Sequence, residues 1–178
     1  MAIRDVHVLG SPVLRQRAEE VAAVDDALRS LIDDMYDTMA AFSGVGLAAN
    51  QVGIARRVAV VNAEGQTITM INPRIVEADG REVKEEGCLS IPEVYGEVTR
   101  PGRVVLEALN EDGAPYRLDA DGLVARAIQH EIDHLDGILF IDHLSPMKRQ
   151  LLVSRWKKEH KGEGLTRAPT PEEPEEDE

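Results

Sequence analysis

Two histidines four residues apart, His130 and His134, constrain the fold of this chain most, because they lie inside an apolar segment. The segment LVARAIQHEIDHL, residues 123–135, has the length and spacing of an amphipathic helix. Residues four apart lie on one face of a helix, so the two imidazoles converge on one point beside it. Buried imidazoles near carboxylates need a partner that satisfies them, and a metal ion does so. The sequence therefore predicts an interior helix that presents two metal ligands.

The residue after the first histidine, Glu131, completes an H-E-x-x-H pattern. In metal hydrolases this pattern supplies two ligands and a glutamate that acts as general base. The alternative is a chance pairing of two surface histidines on an acidic helix. The apolar neighbours Ala127, Ile128 and Ile132 argue against that alternative. A metal-binding helix is the favoured interpretation.

The HExxH pattern does not identify the third ligand of this site. A catalytic zinc-type site has three protein ligands and an open position for water. The extended zinc-protease pattern expects a third histidine where this chain has Phe140, and His143 lies too far along. Glu159 is the first glutamate after the motif, and Cys88, in the segment EGCLS, is the remaining soft donor. A lone cysteine is more often an inert buried residue than a ligand.

A third segment with unusual composition is GVGLAANQ, residues 44–51. Its glycines and alanines allow another backbone to lie close to it. Gln51 ends the segment with an amide that can donate a hydrogen bond. A helix C-cap followed by a tight turn is the simpler interpretation. The segment lacks the Lys-Ser/Thr pair and the preceding strand of a nucleotide-binding loop.

Helical and strand-like patterns follow one another without a regular β-α-β alternation. A first helix is predicted to start at Asp25 or Asp26, to carry an apolar stripe and to end near Ser43. Strand-like segments, separated by turn residues that include Asn72-Pro73 and Asp112-Gly113, are 57–63, 67–72, 103–109 and 116–119. The sequence predicts an α+β fold, with mostly antiparallel strands around the central helix that carries the HExxH pattern.

A last helix is predicted to start at Ser145, an N-cap residue followed by Pro146. It is expected to present Leu151, Leu152 and Trp156 on one side and basic residues on the other. The basic residues between 148 and 161 are Lys148, Arg149, Arg155, Lys157, Lys158 and Lys161. A C-terminal helix with a basic face is thus expected.

Charge is distributed unevenly along the chain. Of the net −13, almost half comes from residues 162–178, where seven acidic residues face Arg167 alone. These residues contain three prolines and no apolar period, so a disordered acidic tail is predicted at 162–178, after a single domain at 1–161. The acidic balance disfavours DNA binding. A membrane span and a signal peptide are not expected, and one cysteine excludes an internal disulfide, so we expect a cytoplasmic protein.

Taken together, GVGLAANQ at 44–51, EGCLS at 86–90 and HEIDHLDG at 130–137 resemble the three motifs of the peptide deformylases: GxGxAAxQ, EGCxS and HExDHxxG. The order of the motifs is that of the family, and the resemblance covers roughly residues 1–160. Within the family, the sequence is similar to the bacterial enzymes. It implies a hydrolase that removes the N-formyl group from the N-terminal formylmethionine of new polypeptides and releases formate.

The resemblance also implies the ligands and the metal. Cys88, His130 and His134 are expected to bind one ion per chain, with water in the fourth position. The family uses Fe²⁺ physiologically, while Ni²⁺, Co²⁺ or Zn²⁺ can substitute. Glu131 is expected to take a proton from the attacking water and pass it to the leaving amine.

The remaining site residues are expected around this centre. The Gln51 amide and the Leu89 backbone N–H are the candidates for stabilising the tetrahedral oxyanion. The peptide is expected to bind as an added strand through backbone groups of Val45, Gly46 and Gly87. The methionine pocket is expected to involve Val45, His130, Leu123, Arg126 and Ala127, with only the aliphatic stem of the arginine contributing. An ion pair between Glu86 and Arg100 is a further hypothesis.

Two rival functions are considered. An HExxH zinc endoprotease predicts a third ligand downstream and leaves the EGCLS segment unexplained. A non-enzymatic metal-binding or ribosome-associated module would be expected to lack Glu131 or Gln51, and both are present. In bacterial deformylases the C-terminal helix can dock on the ribosome, and the basic face predicted here suits ribosomal RNA. The expected partners are therefore formylmethionyl nascent peptides and, through that helix, the ribosome.

Overall fold

The computed structural model describes residues 2–169 of the chain. Within them, the α-helices are α1 (Asp26–Ala41), α2 (Gly122–Leu135) and α3 (Pro146–Glu159). The strands are β1 (Val6–His7), β2 (Gly46–Ala48), β3 (Val58–Ala63), β4 (Gln66–Asp79), β5 (Glu82–Cys88), β6 (Ile91–Arg100), β7 (Arg103–Leu109), β8 (Pro115–Asp121) and β9 (Thr166–Arg167). Short 3-10 turns at Pro12–Arg15, Ala49–Val52 and Phe140–His143 connect them.

The strands form three antiparallel sheets. The largest has the order β2-β3-β4-β7-β8, while β5 pairs with β6 and β1 pairs with β9. Helices and antiparallel strands are segregated along the chain, so the predicted α+β class is confirmed. No helix within residues 2–169 is both long and apolar enough to span a membrane.

The five-stranded sheet lies between α1 and α2, and β3 shows why. Its side chains alternate, so Val58 and Val60 belong to the core cluster that includes α1. Ala59 and Val61 belong to the cluster that includes α2. The period of two along a strand thus places one helix on each face of the sheet. On its other side α2 contacts the β5–β6 hairpin, which makes it the central helix, as predicted.

Helix α1 begins where its cap was predicted. The Asp25 side chain accepts a hydrogen bond of 2.8 Å from the backbone N–H of Leu28. The predicted apolar stripe is buried over its length, at Leu28, Leu31, Ile32, Met35 and Met39. Local capping and apolar period act together here, which is why the bounds could be predicted from the sequence.

The strand predicted at 67–72 is longer in the structure, because Asn72-Pro73 does not end it. β4 continues to Asp79, with a register shift against β7 between Ile71 and Arg74. Asn72 has a φ of 49°, and its side-chain amide bonds both the N–H and the carbonyl of Val21. The residue typical of a turn instead forms a bulge that a neighbouring segment stabilises.

Helix α3 starts at Pro146 as predicted, with the Ser145 hydroxyl accepting from the N–H of Lys148. Trp156 is buried, but the Leu151 residue is 66% exposed. The expectation that Leu151 packs with Trp156 on one side is therefore wrong. The basic residues Lys148, Arg149, Arg155, Lys157, Lys158 and Lys161 are all exposed.

Disorder was predicted from residue 162 onward, but part of this segment forms a strand in the structure. After α3 the chain turns back, and β9 pairs with β1, Arg167 opposite Val6 and Thr166 opposite His7. The Leu165 carbonyl also accepts a hydrogen bond from the N–H of Val8. Thr166 and Arg167 are polar or charged, so their sequence carried no strand signal. The rest of the predicted tail, residues 170–178, lies outside the described residues.

Candidate metal centre

The two histidines of α2 meet as the helical spacing predicts. Their Nε2 atoms lie 3.2 Å apart, and the ring centroids are 5.0 Å apart. Nine residues of α2 are buried, and Glu131 and His134 are among them. This burial holds the helix between its neighbours. The pair is therefore presented on the face that α2 turns toward the β5–β6 hairpin.

Cys88 enters the site from the end of β5. Its Sγ atom lies 3.3 Å from Nε2 of His134. The strand is irregular between Glu86 and Cys88, and the hairpin closes through the pair Cys88 and Ile91. Gly87 permits this bend, because a Cβ there would lie 2.7 Å from Cε1 of Tyr95. A long-range pairing thus brings the cysteine to the histidines.

These three side chains fit a metal ion. Their ligand atoms all lie within 4.8 Å of one another. Ligand atoms of a tetrahedral Cys-His-His site are about 3.3–3.6 Å apart, close to the 3.2 and 3.3 Å found between the pairs. Burial lowers the pKa of His134 well below its ordinary value, so this imidazole is neutral and offers a lone pair. Within residues 2–169 no other cluster of three such side chains is found.

Glu86 is the centre of a buried ion-pair network behind His130. Its Oε1 lies 3.0 Å from Nδ1 of His130, and Arg100 donates two hydrogen bonds to the carboxylate, of 2.6 and 2.9 Å. Arg126 donates a further one. Burial alone would raise the pKa of Glu86, but the hydrogen bonds from His130 and Arg100 hold it well below its usual range. The hypothesised pairing of Glu86 with Arg100 is present.

The network extends from Arg100 to the surface. Arg100 donates to Oδ2 of Asp133 at 2.8 Å, and Nε2 of His143 lies 2.8 Å from the same oxygen. Asp133, whose role the motif left open, therefore ties α2 to β6 and to the 3-10 turn that follows. Sequence reasoning missed His143 as a member of this network, because only the fold brings it beside Asp133.

Glu131 lies beside the three candidate ligands and is 4% exposed. Its Oε1 packs on Gly46, where a Cβ would lie only 2.7 Å away. Its Oε2 is buried without a hydrogen-bond partner among the described residues. Burial raises the pKa of Glu131 to about 7. The carboxylate can therefore take up and release a proton near neutral pH.

The Gln51 side chain is oriented toward the same centre. Its Oε1 accepts from the N–H of Ala48 at 2.9 Å, and its Nε2 donates to Oγ of Ser90 at 3.0 Å. Nε2 also lies 3.7 Å from Sγ of Cys88. Leu89, next to the cysteine, packs against Gly44. Both predicted oxyanion residues are thus brought beside Cys88.

All predicted site residues except His134 line a single cavity of about 440 Å³. Beside Gln51, Cys88, Leu89, His130 and Glu131, these are Val45, Gly46, Gly87, Leu123, Arg126 and Ala127. The Arg126 head group bonds Glu86, the Val98 carbonyl and the Glu82 carbonyl, which leaves its stem for the cavity. The Val45 carbonyl accepts from the N–H of Asn62.

Phe42 and Arg167 are among the cavity-lining residues that were not predicted as site residues. The Arg167 guanidinium lies over the Phe42 ring, with Cζ 4.8 Å from the centroid. Arg167 falls in the segment predicted as a disordered tail, so no sequence signal pointed to it.

The ligand positions of a zinc endoprotease are not occupied by ligands here. Phe140 packs against the His130 ring, with centroids 6.3 Å apart. Glu159, at the end of α3, is exposed and lies 3.9 Å from Arg155. Neither residue approaches the cluster as a donor, and the third side chain beside the histidines is Cys88.

The chain is similar to known proteins over most of its length. Residues 3–150 match the family model described as polypeptide deformylase. The peptide deformylase of Phenylobacterium zucineum is 49% identical over 90% of this chain and 99% of its own length. That of Chromohalobacter salexigens is 51% identical over 83% of this chain and 89% of its own length.

Solved structures show the same fold. A peptide deformylase from Legionella pneumophila superposes with a TM-score of 0.84 at 42% identity, covering 88% of this chain and 95% of that one. The Ehrlichia chaffeensis enzyme, solved in complex with actinonin, has a TM-score of 0.86 at 37% identity, covering 90% and 99%. By sequence and by structure, this chain belongs to the polypeptide deformylase family.

Proposed function

We propose that this protein hydrolyses the N-formyl group of the N-terminal formylmethionine of new polypeptides and releases formate. Membership of the deformylase family supports the reaction. The structural observation that best supports the proposed reaction is the convergence of Cys88, His130 and His134 near the buried carboxylate of Glu131. A carboxylate with a pKa of about 7 at three metal-ligand side chains suits the hydrolysis of an amide.

The proposed ion is Fe²⁺, one per chain, held by Cys88, His130 and His134, with Ni²⁺, Co²⁺ or Zn²⁺ as substitutes. A divalent ion in such a site acts as a Lewis acid and lowers the pKa of water toward neutrality. One thiolate with two imidazoles is a donor set suited to iron, nickel, cobalt and zinc. The Glu86 carboxylate behind His130 orients that ring and increases its basicity.

Glu131 is the proposed general base and acid. Its carboxylate accepts a proton from the attacking water and then donates it to the leaving amine nitrogen. The Gly46 backbone holds the carboxylate on one side, so the group is positioned before substrate binds. In the metal-free chain burial raises the pKa of Glu131 to about 7, a range that suits a group that both accepts and donates a proton.

Gln51 and Leu89 are the proposed oxyanion donors. The Gln51 side chain is held by Ala48 and Ser90, so its amide needs little rearrangement to donate to a developing negative charge. The Leu89 N–H lies next to the Cys88 ligand in the chain. Loss of one such donor typically lowers kcat by about 10²–10³-fold.

The peptide is proposed to bind as an added strand along β2. This strand is an edge of the five-stranded sheet, and among residues 2–169 only β3 pairs with it. The Val45 carbonyl is already used by Asn62, so Gly46, Gly87 and the Val45 N–H are the proposed backbone contacts. The methionine side chain is proposed to enter the part of the cavity at Leu123 and Ala127, against the Arg126 stem.

Hydrolysis by the metal-loaded protein tests this function. Formate release from formyl-Met peptides is measured under anaerobic conditions with Fe²⁺- or Ni²⁺-loaded protein. We expect release by the wild type and a loss of at least about 10²-fold in Glu131→Gln, because the base is removed. Glu159→Gln, at the exposed end of α3, is the control and should retain wild-type rates. Absence of release by the wild type, or full release by Glu131→Gln, contradicts the proposal.

A ribosome contact through α3 is proposed as well, in the cytoplasm, where nascent chains are made. The exposed basic residues of this helix suit ribosomal RNA. Acidic residues of 170–178 compete for the same charges, so a chain ending at residue 169 should co-sediment more strongly with ribosomes than the full chain. Lys157→Glu should weaken co-sedimentation. Unchanged association in both variants contradicts the contact.

A further inference from the structure

Arg167 brings a positive charge into the cleft from outside the region that matches the family model, residues 3–150. The pairing of β9 with β1 holds its backbone opposite Val6. Its side chain lines the same cavity as Cys88 and Glu131. A late segment of the chain therefore adds a charged residue to the candidate active site.

The guanidinium of Arg167 has hydrogen-bonding capacity that the described residues do not use. Its Nε is buried and has no hydrogen-bond partner within residues 2–169. None of the ion pairs in that part of the chain includes it. The other arginine that lines the cavity, Arg126, is instead held by Glu86. Arg167 is thus the guanidinium of the cleft that is available to a ligand.

The surroundings of Arg167 favour an anionic ligand. The Phe42 ring orients the guanidinium and shields one of its faces from water. Burial lowers the pKa of Arg167, while Cys88 and Glu93 oppose that effect. Arginine nevertheless stays charged in proteins, and a partly desolvated cation is stabilised by an anion that binds it. Glu93 is exposed to solvent and forms no ion pair with Arg167.

We propose that Arg167 binds an acidic side chain of the substrate that follows the N-terminal methionine, and so gives this enzyme a preference for such substrates. The inference rests on the function proposed above. A peptide along the edge of β2 has its methionine at Leu123 and Ala127. Phe42 and Arg167 line the same cavity as these two residues. A guanidinium binds a carboxylate through two parallel hydrogen bonds, which an amide of the same size cannot reproduce.

Matched substrates that differ only in charge test the proposal. The substrates are formyl-Met-Asp-Ala-amide with formyl-Met-Asn-Ala-amide, and formyl-Met-Ala-Asp-amide with formyl-Met-Ala-Asn-amide, so that no free C-terminus competes. With the Ni²⁺-loaded full chain, we expect a kcat/KM about 3- to 10-fold higher for aspartate in one of the pairs. Arg167→Gln should reduce that ratio to about one, and Arg167→Lys should keep part of it. Arg155→Gln removes the same charge from exposed α3 and should leave the ratio unchanged.

Calorimetry with the products separates this inference from the proposed function. Met-Asp-Ala-amide, Met-Ala-Asp-amide and their asparagine forms are titrated into the metal-loaded wild type and Arg167→Gln. Tighter binding of an aspartate peptide that is lost in Arg167→Gln supports the inference even if no formate is released in the assay. Equal kcat/KM and equal affinity for both members of each pair, or a preference that survives in Arg167→Gln, overturn it.

Discussion

The Oε1 atom of Glu86 lies 3.0 Å from Nδ1 of His130. The ring nitrogen on the other side, Nε2, faces Cys88 and His134 across the candidate metal position. One carboxylate therefore sets the orientation and the tautomer of a candidate ligand while it forms ion pairs with two buried arginines, Arg100 and Arg126. The metal centre and the stability of the fold are linked through Glu86.

Replacement of Glu86 by glutamine tests this link. We expect Glu86→Gln to weaken metal affinity by about 10- to 100-fold, because a neutral amide replaces the charged acceptor of the His130 ring. We also expect the free energy of unfolding to fall by about 3–5 kcal/mol, since buried Arg126 loses its carboxylate partner and Arg100 keeps only Asp133. Metal titration and urea denaturation measure the two effects.

The control for this change is Glu107→Gln. The Glu107 carboxylate pairs with Arg74 at the surface, where the arginine side chain is 74% exposed. Its loss should change the free energy of unfolding by at most about 1 kcal/mol and leave metal affinity unchanged. Similar losses in both variants would contradict a special role for Glu86.

Gly46→Ala should lower activity without removing the metal. The new Cβ would lie 2.7 Å from Oε1 of Glu131, so the carboxylate has to move. A displacement of about 1 Å at a reacting group can cost about 10²-fold in rate. Formate release should fall by that order while metal content stays at the wild-type value. The control is Gly164→Ala, which has nothing within 4 Å of the new Cβ and should retain the wild-type rate. If the rate of Gly46→Ala is within twofold of wild type, the contact between residue 46 and Glu131 does not constrain catalysis.

The pH dependence of stability in the metal-free protein should report Glu131. Burial raises its pKa from 4.5 to about 7 in the folded state. Between those values the folded chain binds a proton that the unfolded chain has lost, so stability falls as pH rises from about 4.5 to 7. Relative to Glu131→Gln, the free energy of unfolding of the wild type should fall by about 3 kcal/mol between pH 4.5 and pH 8. Urea denaturation at both pH values measures it, and a difference that does not vary with pH would refute it.

Gly137→Ala should destabilise the end of α2 through a contact with a distant segment. Gly137 has a φ of +76°, and a Cβ there would lie 2.7 Å from the carbonyl oxygen of Arg15. Gly162 has a similar φ of +84° but nothing within 4 Å. Alanine at either position costs about 1–2 kcal/mol for the left-handed backbone. We expect Gly137→Ala to cost about 2 kcal/mol more than Gly162→Ala, since backbone must move; equal melting temperatures would contradict this.

Much of this molecule could be predicted from local sequence. The caps at Asp25 and Ser145, the bounds of α2 and the strand at 103–109 all depend on residues within a few positions of one another. The convergence of His130 and His134 follows from helical geometry alone. Features of this kind depend on interactions between neighbouring residues, so they can be predicted without knowledge of the tertiary structure.

Other features depend on contacts between residues far apart in the chain. The β5–β6 hairpin was not predicted, because its strands are highly charged and lack a clean alternation of apolar residues. The 3.3 Å approach of Cys88 to His134 and the bonds around Glu86 exist only because that hairpin packs on α2.

Sequence alone determined the helices, their caps, the fold class and, through its three motifs, the family. Tertiary structure decided the rest: the continuation of β4 past Asn72, the return of β9 to β1 and the place of Arg167 in the cleft. The physical reason is that helical caps and apolar periods act between near neighbours. Strand pairing and ion-pair networks instead join distant segments, whose partners are selected by the packing of the whole chain.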